Sequence, residues 1–131
     1  MSNIPKTLRY TPSHEWVRIE EDIFTVGITD HAQCMLGDLV YIELPKLETA
    51  FQMGQECAVV ESVKAAADVY CPIAGEVIEI NETVKGNPQV VNEDPYGKGW
   101  LFRIRPFEKA EKEIELLNAS EYTKQVVSEA H

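Results

Sequence analysis

The fold is decided by one stretch near the middle of the chain, Val59-Val60-Glu61-Ser62-Val63-Lys64-Ala65-Ala66-Ala67-Asp68-Val69-Tyr70. Short runs with Val and Tyr lie on both sides of Lys64, and such runs favour strands over a helix. The three alanines after Lys64 favour a helix instead. The pattern as a whole predicts a β-hairpin with Lys64 at its exposed tip. A lysine held there is open to a modifying enzyme, although most exposed lysines are simply solvated.

Hydrophobic alternation predicts further strands on both sides of this hairpin. They cover residues 16–20, 23–28, 39–44, 76–80 and 100–105. Residues 46–53 and 81–94 contain turn signals and are interpreted as connections.

Three helices are predicted around the strands. A short one spans residues 31–36, with Thr29 or Asp30 as its N-cap and Gly37 as its terminating residue. Apolar residues then recur at helical spacing near the C-terminus, at Phe107, Ala110, Ile114 and Leu117. Asn118 is expected to end that helix, and Ser120 to cap a last one that contains Tyr122, Val126 and Val127.

These elements predict a single domain over residues 1–131, with a C-terminal helical segment at about 107–129. A chain of this length can bury one hydrophobic core. Seven or more short strands with peripheral helices favour a mainly β fold, either a sandwich or a half-barrel.

The composition excludes some functions. A net charge of −10 disfavours binding to nucleic acid or to anionic membranes. No apolar run approaches the roughly 20 residues that span a bilayer, and the N-terminus lacks the apolar region of a signal peptide. We therefore expect a cytoplasmic protein, or one in the mitochondrial matrix if a leader has been removed.

The cysteines and histidines show no spacing typical of a catalytic or metal site. Cys34, Cys57 and Cys71 are an odd number without a CxxC motif, which favours reduced thiols. A disulfide between Cys57 and Cys71 across the hairpin is the alternative. His31 and Cys34 lie at i and i+3, but nothing nearby supplies an orienting carboxylate or an oxyanion hole.

The three histidines, His14, His31 and His131, have no metal-ligand spacing, so no metal is predicted. From residue type alone, Glu15 and Asp68 are interpreted as surface acids. The residues therefore argue against a self-contained enzyme and leave Lys64 as the strongest candidate for a functional residue.

Several segments resemble the glycine cleavage system H-protein family. Around the hairpin these are Glu61–Ala65, Asp68–Tyr70 and Pro72–Val77. Further segments follow the order of the family and extend the similarity over nearly the whole chain: Pro12–Trp16, Gly27–Gln33, Gly37–Pro45, Val91–Gly97 and Gly99–Trp100.

The resemblance implies a lipoyl-domain fold, a barrel-sandwich hybrid with added helices. It also implies that Lys64 carries lipoate in amide linkage. In the family, the arm accepts an aminomethyl group from the P protein (glycine decarboxylase) and delivers it to the T protein (aminomethyltransferase). The L protein (dihydrolipoyl dehydrogenase) then reoxidises the arm. H protein is thus a carrier without turnover of its own.

The resemblance assigns further residues. Ser13, Glu15 and Asp68 match the cleft in which the family shelters the loaded arm. Glu61 is a candidate for recognition by the lipoate-attaching enzymes, although a solvated acid explains it as well. We expect a monomer, because a carrier must visit several partners in turn.

Three alternatives remain open at this stage. A biotin carrier also places a lysine on such a hairpin, but that family flanks it with methionines, whereas Val63 and Ala65 stand here. A carrier that relays lipoyl groups to other complexes would use the same lysine. An unmodified interaction scaffold is what the composition alone favours.

Overall fold

A computed structural model describes residues 3–107 and 116–129 of the chain. Its strands are β1 (Arg9–Tyr10), β2 (Glu15–Glu20), β3 (Ile23–Ile28), β4 (Leu39–Glu43), β5 (Ala50–Phe51), β6 (Glu56–Ser62), β7 (Ala66–Tyr70), β8 (Gly75–Ile80) and β9 (Phe102–Pro106). Its helices are α1 (Asp30–Leu36), α2 (Glu82–Gly86), α3 (Gln89–Glu93) and α4 (Ala119–Glu129).

The strands form two antiparallel sheets. One has six strands in the order β1-β2-β3-β9-β8-β5, and the other has three in the order β4-β6-β7. The main core contains apolar side chains from both, including Val26, Val60, Val77 and Ile104. The prediction of a mainly β fold with a C-terminal helix is confirmed.

The hairpin that the sequence predicts is formed by β6 and β7. Val60 pairs with Ala67, and Glu61 with Ala66. The Ser62 N–H donates to the Ala65 carbonyl at 2.7 Å, and the Ala65 N–H donates to Ser62 Oγ at 3.1 Å. These bonds close the chain around Val63 and Lys64, which form the exposed tip. Ala66 and Ala67 lie in β7 because pairing with β6 outweighs their helical propensity, whereas Ala65 lies in the turn.

Helix α1 begins and ends as its sequence predicts. Thr29 is the N-cap, and its hydroxyl accepts a hydrogen bond from the Ala32 N–H. Gly37 ends the helix with a φ of 85°, a value that favours glycine. Asn92 of α3 donates from its side chain to the Gly37 carbonyl and accepts from the Leu39 N–H. This side chain fixes the path of the backbone from α1 into β4.

The predicted strands are confirmed to within two residues at each end, but the interpretation of the connections is incomplete. Residues 46–53 contain the two-residue strand β5, and residues 81–94 contain α2 and α3. Asn81 caps α2 by accepting from the Thr83 N–H. Each of these elements is too short to repeat its hydrophobic period, which is why the pattern did not reveal them.

The C-terminal helix α4 begins earlier than expected. Asn118, and not Ser120, provides the cap: its side chain accepts from the Glu121 N–H at 2.8 Å. The Glu121 carboxylate accepts from the Asn118 N–H in return, at 2.9 Å, which completes a capping box. The helix expected at Phe107 to Leu117 lies largely outside the described residues.

The thiols of Cys34, Cys57 and Cys71 are free, as the composition predicts, and the alternative of a disulfide is not realised. Cys57 and Cys71 are buried, whereas Cys34 is exposed. Within the described part of the chain, no helix has the length and apolarity needed to cross a membrane.

Trp16 packs across the neighbouring strand at a position that only glycine allows. Trp16 is fully buried and pairs with Gly27, and its indole N–H donates to the Pro95 carbonyl at 2.8 Å. A Cβ atom at Gly27 would lie 2.6 Å from the indole ring. The indole thereby joins the β2–β3 hairpin to the loop after α3.

We expect Gly27→Ala to lower the free energy of unfolding by about 1–3 kcal/mol, because the added methyl group must displace a buried indole ring. Urea unfolding monitored by tryptophan fluorescence measures this. Gly86→Ala is the matched control, since a Cβ there meets nothing within 4 Å. It should leave stability unchanged or raise it by up to about 1 kcal/mol. Equal stability of the two variants would contradict this account of the packing.

Candidate functional site

A cleft of about 140 Å³ lies between α1, the β6–β7 hairpin and the loop that precedes β2. Its walls are mainly apolar, and its polar lining residues are Ser13, His14, Glu15 and Asp68. Among the apolar wall residues, Met35 is 50% exposed although it belongs to α1. The other apolar lining residues are Ile28, Ala32, Leu36, Val60, Ala67 and Val69.

Lys64 lies beside this cleft, at the tip of the hairpin. Its neighbour Val63 is 85% exposed, and Lys64 is exposed as well. The lysine side chain extends along the end of α1, because its Cε atom would be 3.7 Å from a Cβ placed on Gly37. The tip is therefore accessible from solvent and adjacent to the helix that forms one wall of the cleft.

Glu15 is the buried acid of the site, with only 1% of its surface exposed. Its Oε1 accepts hydrogen bonds from the hydroxyls of Thr11 and Ser13, both at 2.5 Å. Its Oε2 accepts from the Tyr70 N–H at 3.1 Å. Burial raises the pKa of the Glu15 carboxyl, and these hydrogen bonds oppose the shift. The interpretation of Glu15 as a surface acid is wrong.

Ser13 and Asp68 also line the cleft. Ser13 reaches it through the turn that leads into β2, and its hydroxyl is already bonded to Glu15. Asp68 is exposed and lies on β7, an edge strand, at a rim shared with a larger groove of about 500 Å³. The three cleft residues named from the sequence are therefore close together, with Glu15 deepest.

Glu61 occupies a different surface. It is half-buried on β6, between Tyr41 of β4 and Ala66 of β7, and it does not line the cleft. It lies three residues before Lys64, on the base of the hairpin.

Two contributors to the site were missed in the sequence. Thr11 donates to Glu15, and the backbone of Tyr70 supplies the third donor. The i, i+4 spacing of Thr11 and Glu15 in a turn was an available signal for the first. No signal existed for the second, because a backbone N–H carries no residue identity.

The arrangement fits an extended apolar chain with a cationic end. Apolar walls can hold the chain, while a carboxylate and a hydroxyl among the lining residues can accept hydrogen bonds from an ammonium group. The described residues offer no oxyanion hole or activated nucleophile at the cleft, so a binding role suits the geometry better than a catalytic one.

Comparison with known proteins gives a consistent result. A family model described as glycine cleavage H-protein matches residues 8–129. The glycine cleavage system H protein of Pseudoalteromonas translucida is 56% identical over 123 residues, which are 93% of this chain and 95% of that protein. The H protein of Chromobacterium violaceum is 53% identical over 127 residues, or 96% of this chain and 98% of that protein.

A solved structure gives the same picture in three dimensions. The glycine cleavage system H protein of Mycobacterium marinum matches with a TM-score of 0.85 at 38% identity. The match covers 93% of this chain and 98% of that one. This likeness confirms the fold class expected from the sequence.

The buried carboxyl of Glu15 predicts a specific pH dependence of stability. Its pKa is raised in the folded state, so the unfolded state loses the proton first as pH rises. The contribution of Glu15 to stability is therefore most favourable at low pH. It declines as pH rises from the ordinary carboxyl pKa through the raised one.

As pH rises over that interval, we expect the unfolding free energy of the wild type to fall relative to that of Glu15→Gln. Urea unfolding from about pH 4 to pH 8 measures it. Glu82→Gln, which removes an exposed carboxyl from α2, is the matched control. A difference that does not change with pH for Glu15→Gln would show that burial does not perturb this carboxyl.

Proposed function

The chain belongs to the glycine cleavage H-protein family, and from that premise we propose that Lys64 is the residue that carries its lipoyl group. The protein is a lipoylated carrier of the glycine cleavage system and not a catalyst. The observation that carries the assignment to Lys64 is its position at the exposed tip of the β6–β7 hairpin, whose strands also line a cleft that contains Glu15 and Asp68.

The hairpin is suited to present a modified lysine. The bonds between Ser62 and Ala65 hold the base of the tip rigid, while Val63 and Lys64 face solvent. Acylation of the lysine nitrogen removes its charge and extends the side chain into a long arm. A mobile arm on a rigid base brings the reactive group to successive enzymes at high effective concentration.

We infer that the loaded arm rests in the cleft lined by Ser13, Glu15 and Asp68. An aminomethyl group carries an ammonium, and a buried carboxylate attracts it more strongly than one in water does. Among the described residues, the Tyr70 N–H is the only donor to Glu15 Oε2, so a further acceptor position remains there. The apolar side chains of Met35 and Leu36 are available to pack against the hydrocarbon part of the arm.

The partners follow from the same proposal. The P protein (glycine decarboxylase) loads the arm, the T protein (aminomethyltransferase) unloads it, and the L protein (dihydrolipoyl dehydrogenase) reoxidises it. The net charge of −10 favours partners that present basic surfaces. Glu61, at the base of the hairpin, is proposed as a contact for the lipoate-attaching enzyme. We further propose a cytoplasmic monomer.

The first test is modification at Lys64. Protein expressed with lipoate is expected to gain the mass of one lipoyl group, on the peptide that contains Lys64. Lys64→Arg should abolish the gain, because a guanidinium does not form this amide. Lys46→Arg is the matched control, since Lys46 is exposed but lies outside the hairpin, and it should be modified normally. Modification of Lys64→Arg protein would refute the assignment.

The second test is the lifetime of the aminomethyl adduct. In lipoylated protein, Glu15→Gln combined with Asp68→Asn should speed hydrolysis of the adduct by about 10-fold or more, which is the value of one charge-assisted hydrogen bond. Release of ammonia from the isolated loaded protein measures the rate. Glu82→Gln is the control for loss of a carboxyl elsewhere. An unchanged lifetime in the double variant would exclude these acids as the resting place.

A further inference from the structure

Three side chains from distant parts of the sequence meet at one side of the cleft: His14, His31 and Glu129. One potential ligand atom from each lies within 4.8 Å of the other two. Glu129 Oε1 is 3.1 Å from His14 Nε2 and 3.6 Å from His31 Nε2. The sequence spacing predicts no metal site, because only the tertiary structure brings these groups together.

His14 is held firmly in place. Its backbone has a φ of 73°, a conformation in which histidine is found more often than most residues. Its N–H donates to the Thr11 carbonyl, and its own carbonyl accepts from the Thr29 N–H, both at 3.1 Å. Its ring therefore projects from a backbone that is fixed on both sides.

The ring of His14 lies between the hydroxyl of Tyr122 and the carboxylate of Glu129. Its Nδ1 lies 2.7 Å from the hydroxyl of Tyr122, which is itself 2.7 Å from the hydroxyl of Thr29. When the ring proton lies on Nδ1, the Nε2 lone pair faces a carboxylate oxygen of Glu129 that is 3.1 Å away, and a metal ion can join these two acceptors.

His31 adds a second nitrogen that lacks a hydrogen bond. Its Nε2 is buried and has no hydrogen-bond partner among the described residues. A buried polar atom without a partner is unfavourable, and in this case it belongs to a residue next to the same carboxylate. A metal ion bound at this position would satisfy it.

We propose that His14, His31 and Glu129 bind one divalent cation of the zinc class. Two imidazoles and one carboxylate, with a fourth position left for water, are a known ligand set for Zn²⁺. Zinc bonds of about 2.0–2.2 Å place tetrahedral ligands roughly 3.4 Å apart. The two distances from Glu129, 3.1 and 3.6 Å, lie on either side of that spacing. Imidazole ligands disfavour Mg²⁺ and Ca²⁺, which prefer oxygen.

The ion would join three segments: the loop before β2, the start of α1 and the last residue of α4. The hydrogen bond between His14 Nδ1 and the Tyr122 hydroxyl would orient this ligand in the way common to zinc sites. Because His14 also lines the cleft, the ion would fasten α4 beside it. This site does not depend on the carrier role.

Isothermal titration calorimetry of untagged, unlipoylated protein with zinc sulfate at neutral pH tests the proposal. We expect one equivalent of Zn²⁺ to bind and excess Mg²⁺ not to compete. Each of the variants His31→Asn and Glu129→Gln should weaken binding at least 10- to 100-fold, the effect reported for loss of an outer-sphere partner alone. Thermal unfolding should show a Zn²⁺-dependent rise in midpoint for the wild type that each variant loses.

Two controls make the result decisive. Glu82→Gln removes a carboxylate elsewhere, and His131→Asn removes the remaining histidine; both should bind as the wild type does. Glu129 ends a surface helix, so Glu129→Gln decides the question even if His31→Asn does not fold. Uptake of less than one equivalent by the wild type, or wild-type affinity in Glu129→Gln, would overturn the proposal. Loss of binding in His131→Asn would do so as well.

Discussion

The site depends on the buried carboxylate of Glu15 and on the hydrogen bonds that this carboxylate must find inside the protein. A carboxylate that is 1% exposed must find donors within the protein. It finds two in hydroxyls of its own loop and a third in the backbone of β7 at Tyr70. The same group therefore folds the loop before β2 and ties that loop to the hairpin that carries Lys64. The cleft exists because these two segments are held together.

The molecule separates rigidity from mobility in a way that suits a carrier. The surroundings of the hairpin tip are fixed by the pairing of β6 with β7 and by the hydrogen bonds between Ser62 and Ala65. The hydrogen bond from the Asn92 side chain to the Gly37 carbonyl fixes the neighbouring end of α1. The side chains of Val63 and Lys64 at the tip are exposed to solvent. A lipoyl arm on Lys64 would then move while its base remains still, and the cleft lined by Glu15 and Asp68 would offer a resting position for its charged cargo.

Local signals explain most of what the sequence predicted correctly. The Thr29 cap, Gly37 with its positive φ, and the alternation within β8 depend on residues only a few positions apart. The errors came where local signals were short or misleading. The elements β5, α2 and α3 are too brief to show a period, and Asn118 caps α4 where Ser120 had been expected.

The sequence by itself determined the hairpin, the exposed lysine at its tip and, through ordered motifs, the family. Each of these is encoded in neighbouring residues, because turns, caps and strand faces are governed by short-range geometry. Only the tertiary structure decided that Glu15 is buried and that His14 and His31 meet Glu129. Burial and ligand spacing arise from contacts between segments far apart in the chain. Desolvation raises the pKa of Glu15. The carboxyl is desolvated only when those segments have packed around it.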